Sequence, residues 1–150
     1  MLNMFNGAKK FNQPIGNWDT SKVADFNGTF GDAVSFNQNI NTWNVSSATS
    51  FASMFAGATV FNSPLSTWNT INVNEMSSMF ENAKAFNQPI ANFNTAKVTS
   101  MVSMFRGASA FNQPIGNWDV SKVTGNKVPA NIVDGDGFSV AFYTMFQDAT

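Results

Sequence analysis

Five times, at intervals of 25 residues, the chain writes a version of the string Phe-Asn-Gln-Pro-Ile, beginning at Phe11, Phe36, Phe61, Phe86 and Phe111. Self-similarity at a fixed period of this size is the signature of a stack of like coils, each burying its apolar face only against its neighbours. This restricts the fold before any propensity is consulted. Every position in the period becomes a column running through the stack.

The coil from Glu75 to Thr99 serves as the template. Met76, Met79, Phe80 and Ala83 stand at i, i+3, i+4 and i+7, which predicts one apolar face of a short helix. Thr49, Asn74 and Thr99 precede that segment in successive copies and are its expected N-caps. The column Gly7, Asp32, Gly57, Asn82, Gly107 holds residue types that tolerate positive φ, and predicts the left-handed turn that ends the helix. Proline at positions 14, 64, 89 and 114 then sets an extended corner. Trp18, Trp43, Trp68, Phe93 and Trp118 follow, with Thr20, Val45, Thr70, Thr95 and Val120 two residues on. That alternation predicts a short strand with these side chains inward, stacked in parallel on the strands of neighbouring coils. The expected fold is an α/β solenoid of short parallel strands and short helices, 25 residues per coil.

The aromatic residues keep the same period. Of 16 phenylalanines, only Phe138 falls outside the columns of the template. Side chains this regular are core ladders, each contributing roughly 2–3 kcal/mol by burial. Asn12, Asn37, Asn62, Asn87 and Asn112 do not vary within the chain. Beside a buried Phe at a tight corner, their amides are expected to satisfy backbone groups of their own and the next coil.

The string MSSMFENAKAFNQPIANFNTAKVTSM resembles the repeat of BspA-like leucine-rich-repeat surface proteins, in the variants with a MFxxAxxFNQPIxxWxxSxV pattern. The resemblance covers residues 1–123 and resumes at Phe142, with departures at Asn39, Ala48 and Phe93. It implies a right-handed α/β solenoid and an extracellular or cell-surface location. It also implies adhesion or partner recognition with no active site.

One break interrupts the period. Phe142 and Met145-Phe146 match Met101 and Met104-Phe105, but 41 residues later, so 16 residues are inserted within 124–141. Asp134-Gly135-Asp136-Gly137 at its centre predicts a turn, and the Asp-x-Asp is too short for a dedicated calcium site. Residues 1–150 are expected to form one domain, opening inside a repeat as a segment of a longer protein does.

Composition narrows the function. With no His and no Cys, two of the usual nucleophile and general-base arrangements are excluded, paired carboxylates remain as the acid/base option, and there is no thiolate metal site. Asp19 and Asp119 share a column but stand four coils apart, roughly 19 Å at parallel-strand spacing, too far for a glycosidase pair. Asp25 and Asp32 suit capping and the positive-φ turn, and Glu81 and Arg106 are expected to face each other on adjacent coils. The expectation is a non-enzyme with no catalytic residue, metal or cofactor. Eight Lys and Arg spread along a chain of net charge −1 argue against a nucleic-acid partner. No apolar run reaches the length of a membrane span, and the first residues do not read as a signal peptide.

If Trp18 and Thr20 face inward, the residues between them face outward. The outward columns are then Asn17, Thr42, Thr67, Asn92, Asn117 and Asp19, Asn44, Asn69, Asn94, Asp119. Asn17, Asp19, Asn44, Asn69, Asn94, Asn117 and Asp119 are the candidate ligand-binding residues, on a polar face suited to a glycan or an extended protein segment. The competing expectation is a spacer without its own ligand, since stacks of coils lengthen by simple addition. Exposed coil ends predict either end-to-end self-association or neighbouring domains in a longer protein.

Overall fold

The computed structural model describes residues 1–124. Each coil is built from turns rather than from a strand and a helix. In the coil that starts at Phe26, backbone bonds between residues three apart close turns at Thr29, Gly31, Ala33, Phe36, Trp43 and Ala48. No α-helix and no multi-residue strand occurs among the described residues. Parallel pairing is confined to the single-residue bridges Asp25–Ser50, Ser50–Glu75 and Glu75–Ser100. The expected right-handed α/β solenoid of short strands and short helices is therefore overturned.

The reason lies in where alternate N–H groups point. Across 26–32, the N–H groups of Phe26, Gly28, Phe30 and Asp32 donate to the carbonyls of Ser50, Ala52, Met54 and Ala56 in the next coil, at 2.7–3.1 Å. Those of Thr29, Gly31 and Ala33 donate three residues back. A helix would use nearly every N–H internally and leave no backbone donors to link coils. Two positive-φ columns break any helix as well. Asn3, Gly28, Ser53, Ser78 and Ser103 have φ between 52° and 60°, and Gly7, Asp32, Gly57, Asn82 and Gly107 lie between 53° and 70°. Each sits third in a turn closed by a bond between its first and fourth residues, the signature of type II geometry. Chains of such turns reverse direction often enough to bury i, i+3, i+4 and i+7 together: Met76, Met79, Phe80 and Ala83 are all fully buried.

The expected N-caps are also reassigned. Thr49 and Thr99 donate both N–H and hydroxyl to the preceding coil, at Ala24 and Asn74. Asp25 and Glu75 instead accept the N–H two residues on, at 2.8 and 2.7 Å. Asp32 carries φ 53°, the turn role expected of it, whereas the cap expected of Asp25 has no helix to serve among the described residues and is replaced by its local bond to the Asn27 N–H.

The core is a double file of phenylalanines. Within a coil Phe30 stacks on Phe36 at 3.9 Å, Phe55 on Phe61 at 4.0 Å and Phe80 on Phe86 at 3.9 Å. Between coils Phe30, Phe55, Phe80 and Phe105 repeat at 5.7 Å. Trp43, Trp68 and Trp118 close the other side, their indole N–H groups donating to the carbonyls of Ile15, Ile40 and Ile90 at 3.0–3.3 Å. Phe93 has no such donor to give Leu65.

The asparagine column forms the expected ladder. Oδ1 of Asn12, Asn37, Asn62 and Asn87 accepts the N–H of the Asn one coil on, at 2.8–3.0 Å. The same oxygens accept from Gln38, Ser63, Gln88 and Gln113, which explains the polar residue after each Asn. Arg106 and Glu81 approach to 3.7 Å as expected, an exposed pair worth about 0–1 kcal/mol. Among the described residues no helix is long and apolar enough to cross a membrane. The insertion, its Asp134–Gly137 turn and the repeat copy from Phe142 lie outside the described residues.

Candidate functional site

The alternation read from the Trp-x-Thr segment survives although the strand does not. Thr20, Thr70 and Thr95 are buried, as are Val45, Trp43, Trp68, Phe93 and Trp118. Trp18, in the first coil, is 41% exposed. Between these inward side chains, all ten residues of the two outward columns are exposed. Asn17, Asp19, Asn44, Asn69, Asn94, Asn117 and Asp119 therefore lie on one polar face, as two parallel files.

The first file is tied to the neighbouring coil, the second to its own. In the first, Thr42 and Thr67 donate their hydroxyls to the carbonyls of Gly16 and Asn41 in the preceding coil. Asn92 and Asn117 donate their amides in the same way to Ser66 and Ala91, at 3.1 and 3.0 Å. In the second file, Oδ1 of Asp19, Asn44, Asn69, Asn94 and Asp119 accepts the N–H two residues ahead, at 2.9–3.2 Å. These are Asx turns, a local task that Asp and Asn perform equally. What the second file leaves facing outward is the Nδ2 amide of Asn44, Asn69 and Asn94 and the second carboxylate oxygen of Asp19 and Asp119.

The electrostatics of the two aspartates follow from those turns. The Ser21 hydroxyl, and then its backbone N–H, hold the Asp19 carboxyl below the usual aspartate range. Ser121 does the same for Asp119, with a small further lowering from the Lys122 charge. Both carboxylates are ionised at neutral pH and sit at opposite ends of the described file.

Two shallow hollows interrupt the face. One, of about 470 Å³, is lined by Asn39, Asn41, Thr42, Trp43, Asn44 and Thr67. The other, of about 330 Å³, is lined by residues 91–96 with Asn117 and Asp119. Both lie where the repeat departs from its pattern, at Asn39 in place of Pro and at Phe93 in place of Trp. Sequence reasoning noted these departures without locating a depression at either. Beside the second hollow, the buried Thr95 hydroxyl has no hydrogen-bond partner among the described residues. Its column mates Thr20 and Thr70 donate to the carbonyls of Asn44 and Asn94, at 3.0 and 3.1 Å.

A further pairing escaped the sequence reading. The column Gly7, Asp32, Gly57, Asn82, Gly107 alternates, and the alternation is steric. A Cβ on Gly57 would lie 2.2 Å from Oδ1 of Asp32, and one on Gly107 would lie 2.4 Å from Oδ1 of Asn82. Each Asx side chain reaches over the next coil's glycine, so the structural period at this column is two coils. The signal was present as strict Gly/Asx alternation.

A family model described as "Mycoplasma protein of unknown function, DUF285" matches residues 1–83 and, in a second overlapping match, residues 64–128. No curated protein and no solved structure matches the chain.

Proposed function

This chain belongs to the DUF285 family, and we propose that it is a non-enzymatic recognition module of a surface or secreted protein. In this reading it has the adhesive role that the BspA-like resemblance implies. Its ligand is an extended glycan or protein segment, taken along the two outward files. The observation that carries the reading is the continuity of the polar face: a side chain of Asn, Asp or Thr is exposed at the same two positions in five successive coils. Asn44, Asn69 and Asn94 offer donors at regular intervals, and the two hollows give the face relief.

The spacer reading has its own support. Thr42, Thr67, Asn92 and Asn117 already bond the preceding coil, so the first file has a structural reason to exist without any ligand. The two readings separate by experiment. The triple variant Asn44→Asp, Asn69→Asp, Asn94→Asp keeps each Asx turn, because Asp19 and Asp119 already make the same bond. It removes the outward donors. The recognition reading expects a hit on a glycan and matrix-protein array that disappears in this folded variant. No hit with the unmodified chain favours the spacer.

A further inference from the structure

We propose that the hollow between the coil that starts at Phe26 and the next coil is a subsite for one neutral sugar ring, selected by Asn39. The inference rests on the recognition reading above and narrows it, from a glycan or protein segment to a glycan with an uncharged unit at this place. Described coils lie on both sides of the hollow. Its walls are Asn39, Asn41, Thr42, Trp43 and Asn44 of one coil and Thr67 of the next, around about 470 Å³.

Asn39 is the residue that sets this place apart. Pro14, Pro64, Pro89 and Pro114 stand at the equivalent position of the other repeat copies, and a proline ring has no polar group to offer. The Asn39 side chain is exposed, and its two ends have different tasks. Oδ1 accepts the Asn41 N–H at 3.0 Å, and no bond among the described residues uses Nδ2. Asn44 repeats the pattern, with Oδ1 on the Ser46 N–H and Nδ2 unused among the described residues. Thr42 and Thr67 each donate the hydroxyl to a backbone carbonyl, of Gly16 and Asn41, and keep oxygen lone pairs for a ligand.

That inventory decides the chemistry of the ligand. Two amides donate and two hydroxyl oxygens accept, and the hydroxyls of a sugar, which both give and take a hydrogen, use both sets. No Lys, Arg, Asp or Glu lines the hollow. A sulfate, phosphate or uronate would therefore lack the charge-assisted bonds of an anion site, and a cation would meet no carboxylate. Trp43 is 2% exposed, so it offers no ring face for stacking, and hydrogen bonds carry the recognition. An extended polypeptide fits less well. Its same-side groups recur at roughly 6.4–6.8 Å against about 4.8 Å for stacked coils, so it leaves register with the files within two or three coils.

The test is two-dimensional amide NMR on the whole chain, which reads the side-chain amides of Asn39 and Asn44 directly. The probes are a panel of free neutral hexoses and N-acetylhexosamines, with glucuronate and glucosamine as charged counterparts and a Ser/Thr-rich peptide as the other class. Asn39→Pro writes in the residue that the other copies carry, and Asn39→Ala removes the amide by a second route should the proline disturb the turn. The expected result is a saturable shift of both side-chain amides with at least one neutral sugar. Binding should weaken about tenfold in either variant, the size set by one or two lost neutral hydrogen bonds, with backbone signals elsewhere unchanged. Tighter binding of glucuronate or glucosamine overturns the proposal. So does the absence of a shift with every neutral sugar: if the peptide moves these amides instead, recognition of a protein segment stands, and if nothing does, both readings fall. Sugar shifts confined to Asn69 and Asn94 and indifferent to Asn39→Pro overturn the subsite alone.

Discussion

The threonine column offers a test in which one substitution, Thr→Val, should have opposite signs at two equivalent sites. Thr70 Oγ1 donates to the Asn94 carbonyl at 3.1 Å and accepts the Asn94 N–H at 2.7 Å. Thr70→Val leaves both backbone groups of Asn94 without those partners, a loss of about 1–3 kcal/mol. Thr95 is equally buried, and its hydroxyl has no partner among the described residues. Thr95→Val removes a desolvated polar group without breaking any bond, a gain of about 1 kcal/mol or somewhat more. Shape does not oppose it, since Val45 fills the same column at 1% exposure. At roughly 4 °C per kcal/mol, Thr95→Val should raise the melting temperature by about 4 °C and Thr70→Val should lower it by about 4–12 °C. Thermal melts of the two variants against the unmodified chain decide the matter. Equal destabilisation by both would refute the reasoning, because it would mean that the Thr95 hydroxyl is as well bonded as that of Thr70.

Other expectations follow from the ladders. Asn87→Ala removes the acceptor for the Asn112 N–H and the Gln113 amide, and should cost about 1–3 kcal/mol in a denaturant titration, whereas Asn87→Asp retains most of the stability. Gly57→Ala should destabilise by more than about 1 kcal/mol, through its φ of 69° and the close approach of Asp32 Oδ1. Adding Asp32→Gly should restore the steric part, measured as coupling in a double-mutant cycle. Asp19 and Asp119 have folded pKa values below the ordinary aspartate value of about 3.9. Their contribution is present above that value and is lost as pH falls through the lowered folded values. Melting temperature should therefore fall below about pH 4, less steeply in Asp19→Asn/Asp119→Asn, because Asn44, Asn69 and Asn94 make the same turn without titrating.

The columns were legible because burial in a stack depends only on position within the period. The double file of Phe, the inward Trp and Thr, the outward Asn and Asp, and the Asn12–Asn112 ladder all follow from residue type repeated at 25. The backbone was not legible from the apolar spacing. A helix and a chain of type II turns both bury i, i+3, i+4 and i+7, so Met76, Met79, Phe80 and Ala83 cannot distinguish them. The deciding column was Asn3, Gly28, Ser53, Ser78, Ser103, where Asn and Gly signalled positive φ but three serines diluted the signal. The strand failed for a related reason. Side-chain groups such as the Thr20 hydroxyl and the Trp43 indole link the coils there, and no backbone ladder forms. At the candidate site, exposure was readable but engagement was not. That Asn44, Asn69 and Asn94 are turn-formers became visible only with the Ser46, Ile71 and Ala96 N–H groups in place.

The central claim, a stack of turn-built coils joined by alternate backbone N–H groups, is tested most directly by NMR couplings across hydrogen bonds. The account predicts couplings from the N–H of Gly28 to the carbonyl of Ala52, from Ser53 to Ser77 and from Ser78 to Val102. It also predicts Cα shifts that are not helical over 76–83. Couplings from residues 80–83 to carbonyls four residues back, with helical Cα shifts and no inter-coil couplings, would contradict it.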